Sequence, residues 1–192
     1  MIRAALFDFG GVILSSPFEA FARYERENQL PDGLIRRLNA TNPDTNAWAR
    51  LERSEVDLGQ FAELFEEEAR EAGHEVDGRA VLALLGGAVR PEMVEALRRC
   101  NEHLVTGLLT NNFVSIDRSH GGAVEDPTGR AAAIAEIMGL FDAVIESSKV
   151  GVRKPDPRFY EISCETLGIE PAEAVFLDDL GVNLKPARAM GM

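Results

Sequence analysis

Four short apolar segments constrain this chain more than any other feature, because each runs directly into polar or charged residues. They are "IRAALFDF" (2–9), "LVTGLLT" (104–110), "FDAVIES" (141–147) and "AVFLDD" (174–179). Apolar character with few alternating polar positions belongs to strands covered on both faces. Helical patterns fill the spaces: "PEMVEALRRCNEH" stands before the second segment and "RAAAIAEIMG" before the third. "DPRFYEISCETLG" lies between the third and fourth, with Asp156 placed to cap its start, Pro157 at the first helical position and Gly168 past its end. Strands alternating with helices specify an α/β fold built on a parallel sheet.

Residues 15–88 depart from that rhythm and read as helices only. The clearest is "DLGQFAELFEEEARE": Leu58, Phe61, Ala62, Phe65 and Ala69 form one apolar stripe, and Asp57 with Gln60 matches a capping box. An all-helical block after the first strand reads as an inserted module. The expected division is therefore a core of residues 1–14 and 89–192, with 15–88 as the insertion. Phe18, Phe21, Tyr24, Trp48, Phe61 and Phe65 are expected mainly in the core of that insertion. The block holds 15 acidic and eight basic side chains, a net −7 out of the chain's −12. Runs such as "FEEEARE" are then solvated helix faces.

Composition narrows the function classes. A length of 192 residues, 45% hydrophobic and 27% charged, suits one globular domain with a modest insertion. No stretch approaches the ~18–20 apolar residues of a membrane span, and the N-terminus reaches Asp8 too soon for a secretory signal. Cys100 and Cys164 form no close-spaced pair, which reads as reduced thiols in a cytoplasmic protein. His74, His103 and His120 are scattered and leave little for a zinc site. A net charge of −12 argues against nucleic acid as partner. The stretch "SIDRSHGGAVEDPTG" (115–129) reads as a polar surface loop with His120 solvated.

Chemistry gathers at the ends of the apolar segments. An ionised side chain is rare in an apolar run unless it is paired, coordinated or used in a reaction. Asp8 closes the first segment, Thr110 the second, and Asp178 with Asp179 the fourth. Ligands of open α/β sheets bind at the carboxyl ends of the strands, so these residues are expected to converge. Three carboxylates would repel without a cation, and oxygen-only ligands favour Mg²⁺. Lys154, one of only three lysines, stands in "GVRKPDP" just before a helix and would complete the charge balance.

In order and spacing, "FDFGGV", "LLTNN", "VGVRKPDPRFY" and "FLDDLGVNLKPARAMGM" resemble the four motifs of the haloacid dehalogenase superfamily of aspartate-nucleophile hydrolases. Within it the chain most resembles the subgroup containing the N-terminal phosphatase domain of soluble epoxide hydrolase. It is also similar to the N-terminal domain of certain acyl-CoA dehydrogenase family members, where a glycine-glycine first motif also occurs. The resemblance implies a Rossmann-like parallel sheet with residues 15–88 as a helical cap, and a small-molecule phosphate as substrate. It makes Asp8 the nucleophile and gives Thr110 and Asn111 the phosphoryl oxygens, through hydroxyl and amide groups. Lys154 neutralises charge on both nucleophile and phosphate. Mg²⁺ falls to Asp8, Asp179 and the Gly10 backbone carbonyl, with Asp178 and Asn183 in support.

Gly10 departs from the pattern, since phosphatases of this family usually carry a second Asp there as general acid and base. Glycine keeps the carbonyl and loses the acid. Loss of such a group typically costs ~10²–10⁴ in rate. Three readings follow: a Mg²⁺-dependent phosphatase that is slow or prefers good leaving groups, a non-catalytic phosphate-binding module, and a metal-free haloacid dehalogenase. The paired Asp178 and Asp179 weigh against the last.

Overall fold

The structure is a computed structural model, and it describes residues 1–112 and 130–192. Its centre is a parallel sheet of β1 (Ala4–Phe7), β2 (Val105–Thr110), β3 (Ala143–Glu146) and β4 (Ala174–Leu177) in the spatial order β3-β2-β1-β4. Every expected strand is present, each shorter by one to four residues at its ends. Phe7 lies opposite both Leu108 and Leu177. The next residues, Asp8 and Asp178, therefore leave adjacent strands at the same level.

The pleat sorts β1 between two cores. Ala4 and Leu6 pack with Phe159, Tyr160 and Cys164 of α9 (Pro157–Leu167) and with Ala187 of α10 (Gly181–Met190). Ala5 and Phe7 face the other way, onto Val94 and Leu97 of α6 (Pro91–Asn101) and Ile137 of α7 (Arg130–Met138). This covering of both faces is why the strands read as almost unbroken apolar runs. The Asp156 cap, Pro157 start and left-handed Gly168 end of α9 are all present. A single turn, α8 (Ser147–Val150), follows β3 directly and was not expected from the sequence. The polar stretch 115–129 and its His120 lie outside the described residues, as does most of the segment leading to α7.

Between β1 and α6 stand five helices: α1 (Phe18–Glu27), α2 (Leu34–Ala40), α3 (Ala47–Glu52), α4 (Leu58–Glu71) and α5 (Gly78–Ala83). They enclose a core of their own, in which Trp48, Phe61 and Phe65 make edge and stacked contacts and Phe21 and Val81 close the sides. Phe18 and Tyr24 pack at its margin. The Asp57–Gln60 capping box forms in full. Leu58 is only half-buried, so the α4 stripe begins in earnest at Phe61. Two chain crossings attach this unit to the sheet, and they pair with each other. Leu14 bridges Val89, the Ser15 N–H donates to the Ala88 carbonyl at 2.7 Å, and the Ala88 N–H donates to Ser15 Oγ at 3.0 Å. Among the described residues no helix is long and apolar enough to cross a membrane.

Gly78 marks a close helix–helix approach in the helical unit. A Cβ placed there would lie 2.7 Å from both Cα and O of Ala62, which are main-chain atoms that cannot turn aside. Alanine in place of glycine gains at most about 1 kcal/mol of helix propensity, whereas overpacking costs about 1–3 kcal/mol. Gly78→Ala is therefore expected to lower stability by about 1–2 kcal/mol, read as a reduced urea midpoint with unchanged slope.

Candidate active site

The site is organised around Lys154, whose side chain is 1% exposed. A buried ammonium needs anionic partners, and it has two: Asp8 Oδ1 at 2.8 Å and Asp178 Oδ2 at 2.7 Å. Asp178 is itself fully enclosed. Its oxygens accept two bonds from Asn183 Nδ2, each at 3.0 Å, and one from the Leu180 N–H at 2.8 Å. Behind the lysine, the Phe176 ring lies 5.5 Å from Nζ. Tyr160 packs edge-on to that ring and donates its hydroxyl to the Asn183 carbonyl at 2.7 Å. Burial holds the Tyr160 phenol well above its usual range, with the Asp178 and Asp8 charges adding to the effect.

Asp8 is pushed up to about 6, first by burial and also by Asp178, against the pull of Lys154. Asp179 is the exposed member of the cluster and accepts a bond from Ser16 Oγ at 3.3 Å. Oxygens of Asp8, Asp178 and Asp179 all lie within 4.8 Å of one another. Three carboxylates against one ammonium leave a charge of −2, which one divalent cation would cancel. The donor set is oxygen alone, so the residues fit Mg²⁺ better than a softer metal.

The two glycines after Asp8 differ sharply. Gly11 has φ +79°, and a Cβ on it would lie 2.1 Å from Asp179 Oδ2. Gly10 has the ordinary extended values φ −71° and ψ 129°, and nothing lies within 4 Å of a Cβ built there. Glycine at 10 is thus not demanded by the backbone, and the space a side chain there would enter is open. The Gly11 carbonyl accepts Arg90 Nη1 at 3.0 Å, which ties the turn to the start of α6.

Thr110 is buried at the end of β2, and among the described residues its hydroxyl makes only a long 3.4 Å contact to the Asn111 carbonyl. Asn111 is differently placed. Its Oδ1 accepts the Lys154 N–H at 2.9 Å, while Nδ2 donates to the Lys154 carbonyl at 3.0 Å and to Glu52 Oε2 at 3.2 Å. That side-chain amide is committed to the Lys154 main chain, so what Asn111 can offer a ligand is its own main chain. Glu52 and Arg153 also line this corner and were not singled out from the sequence. Arg153 stood within the quoted "GVRKPDP", but nothing in the sequence around Glu52 sets it apart from other acidic residues of the insertion.

Comparison with known proteins agrees with this geometry. The sequence pattern of the haloacid dehalogenase-like hydrolases matches residues 2–191. The chain is 32% identical over its whole length to bifunctional epoxide hydrolase 2 of Sus scrofa, and 33% identical over 99% of its length to acyl-CoA dehydrogenase family member 10 of Mus musculus. It spans only 35% and 17% of those two proteins. It is 26% identical over its whole length to validoxylamine A 7'-phosphate phosphatase of Streptomyces hygroscopicus subsp. limoneus, of which it spans 84%. Its fold is similar, at a TM-score of 0.59 and 19% identity, to a HAD family enzyme of Bacteroides thetaiotaomicron solved with magnesium and inorganic phosphate. That similarity covers all of this chain and 92% of the other.

Substituting each glycine tests the difference between them. Gly10→Ala is expected to leave stability unchanged or raise it by about 0.4–1 kcal/mol through the unfolded chain. Gly11→Ala forces a side chain into a left-handed backbone, at about 1–3 kcal/mol, and displaces Asp179. Thermal unfolding should show a melting temperature unchanged or slightly raised in the first variant and lowered in the second.

Proposed function

The chain belongs to the haloacid dehalogenase-like hydrolases, and on that premise we propose that it hydrolyses phosphate monoesters of small molecules through a phosphoryl group carried on Asp8. Mg²⁺ is the proposed cofactor, held by Asp8, Asp179 and the Gly10 carbonyl. Residues 15–88 act as the cap over a core of 1–14 and 89–192. The unpaired thiols Cys100 and Cys164 suit a cytoplasmic setting.

The observation that carries this reading is the buried Lys154 between Asp8 and Asp178 with Asp179 alongside. A phosphoryl group in transfer needs positioning and positive charge more than covalent assistance. Asp8 is the carboxylate at the strand end, and its oxygen attacks phosphorus. The bond from phosphorus to the ester oxygen breaks, and that oxygen departs with the electron pair. Lys154 offsets the charge gathering between nucleophile and phosphoryl oxygens, while the Thr110 hydroxyl and the main chain at Asn111 hold those oxygens. A carboxylate nucleophile divides the reaction in two. Water then attacks phosphorus, the bond to Asp8 breaks, and inorganic phosphate leaves with the carboxylate restored. Asp178, held by Asn183, orients Lys154. Bound Mg²⁺ supplies positive charge to the carboxylates and the transferring oxygens.

A metal-free dehalogenase would leave the −2 charge of this cluster uncompensated, which disfavours that alternative. The open space at Gly10 favours one second reading, a phosphate-binding module that turns nothing over.

Turnover of aryl and alkyl phosphates separates these readings. With no acid beside Asp8, aryl phosphates should react ~10²–10⁴ times faster than alkyl esters, with a burst of phenol before slow release of phosphate. Asp8→Asn and omission of Mg²⁺ should each abolish turnover. Gly10→Asp, which the ordinary backbone at 10 can accept, should flatten the leaving-group dependence and remove the burst. Equal rates on both ester classes with no burst would overturn the role given to Gly10. Phosphate binding without turnover would establish the second reading.

A further inference from the structure

The helical insertion reaches the corner beside Asn111 and Lys154 through a residue that the mechanism above does not use. Glu52, the last residue of α3, enters the corner between the Thr110 and Lys154 segments. Its Oε2 accepts Arg153 Nη1 at 2.6 Å and Asn111 Nδ2 at 3.2 Å, and its main-chain carbonyl accepts Ser147 Oγ at 2.7 Å. Arg153 reaches further into the insertion and donates to the Pro43 carbonyl. The Glu52–Arg153 pair is largely withdrawn from water, with side chains 19% and 17% exposed.

Helix stability does not account for this placement. A carboxylate in the last turn of a helix sits at the negative end of the dipole, where cations are favoured. Burial drives the Glu52 carboxyl up from its ordinary value, and Arg153 pulls it back. An acid held where both helix and burial oppose its charge is there for its partners. Those partners share one property: both adjoin the main chain at Lys154. Asn111 clamps the Lys154 N–H and carbonyl from one side. Arg153 is the residue immediately before it.

We propose that Glu52 is a positioning residue for Lys154: by bridging Asn111 and Arg153, the seated insertion fixes the main chain from which the ammonium reaches Asp8 and Asp178. When the insertion swings about the paired crossings at Leu14 and Val89, the bridge parts and the lysine loses its fixed origin. Charge stabilisation is then complete only while the insertion is seated. The kinetic consequence rests on the role given to Lys154 above, whereas the structural bridge does not.

The test uses the full chain and the variants Glu52→Gln, Arg153→Gln and the double variant. Glutamine keeps the size of Glu52 and removes its charge, so the fold should persist. Two measurements are made on each. The first is kcat and KM for an aryl and an alkyl phosphate. Each single variant should lose roughly 10- to 100-fold in kcat, with KM little changed, equally for both esters, and the double variant should lose no more than the worse single. The second is hydrogen exchange over 151–156 and 43–53. It should quicken by similar factors in both segments, with the crossings at 14–16 and 86–90 unaffected.

A fall in melting temperature with kcat intact would reduce Glu52 to a structural contact and overturn the proposal. A loss confined to alkyl esters would make Glu52 the missing acid and overturn it equally. If the wild-type protein turns over no ester, the phosphatase reading fails by itself. Exchange then decides the bridge, and unchanged exchange at 151–156 in Glu52→Gln overturns it.

Discussion

A lysine ammonium held out of water between two carboxylates is the interaction on which the rest of this structure depends. Removing one partner of such a buried group typically costs about 3–5 kcal/mol, because the charge left behind is uncompensated. Each neighbour of Lys154 can be understood from that penalty. Asp178 is enclosed and takes its remaining hydrogen bonds from Asn183 and the Leu180 N–H. Phe176 and Tyr160 form an aromatic wall that excludes water while offering the cation a ring face. Asn111 gives its side chain to the lysine's main chain. What remains uncompensated is negative charge on the Asp8 and Asp179 side, and there the proposed Mg²⁺ and phosphoryl group would both gather.

The helical insertion is attached at two places of opposite character. At the crossings, one backbone bond and one bond to the Ser15 hydroxyl join Ser15 and Ala88 in a narrow antiparallel seam. At the far side, Glu52, Arg153 and Ser147 meet through charge and side-chain hydrogen bonds. The core of the insertion is its own, built on Trp48, Phe61 and Phe65. The unit thus combines a separate core with a main-chain seam on one side and a polar contact on the other.

Much of this was legible along the chain. Strands covered on both faces announce themselves as apolar runs, and caps such as Asp57–Gln60 and Asp156–Pro157 depend on residues within one turn of each other. The polar residues at strand ends were legible for the same reason: a parallel sheet brings together whatever follows its strands. Other features were not. Glu52 has no local mark, since its meaning comes from Arg153, some hundred residues later. The clamp of the Asn111 side chain on the Lys154 main chain is likewise seen only in the fold.

The glycine pair draws the same line in two adjacent residues. Sequence alone determined that position 10 carries no acidic side chain, because the chemistry of glycine does not depend on where it sits. Only the tertiary structure decided why a glycine stands at 11. Its positive φ and the Asp179 carboxylate 2.1 Å from any Cβ arise when β1 and β4 lie side by side. Residue identity and short-range pattern belong to the chain. Contacts across more than a hundred residues exist only once the sheet has chosen its neighbours.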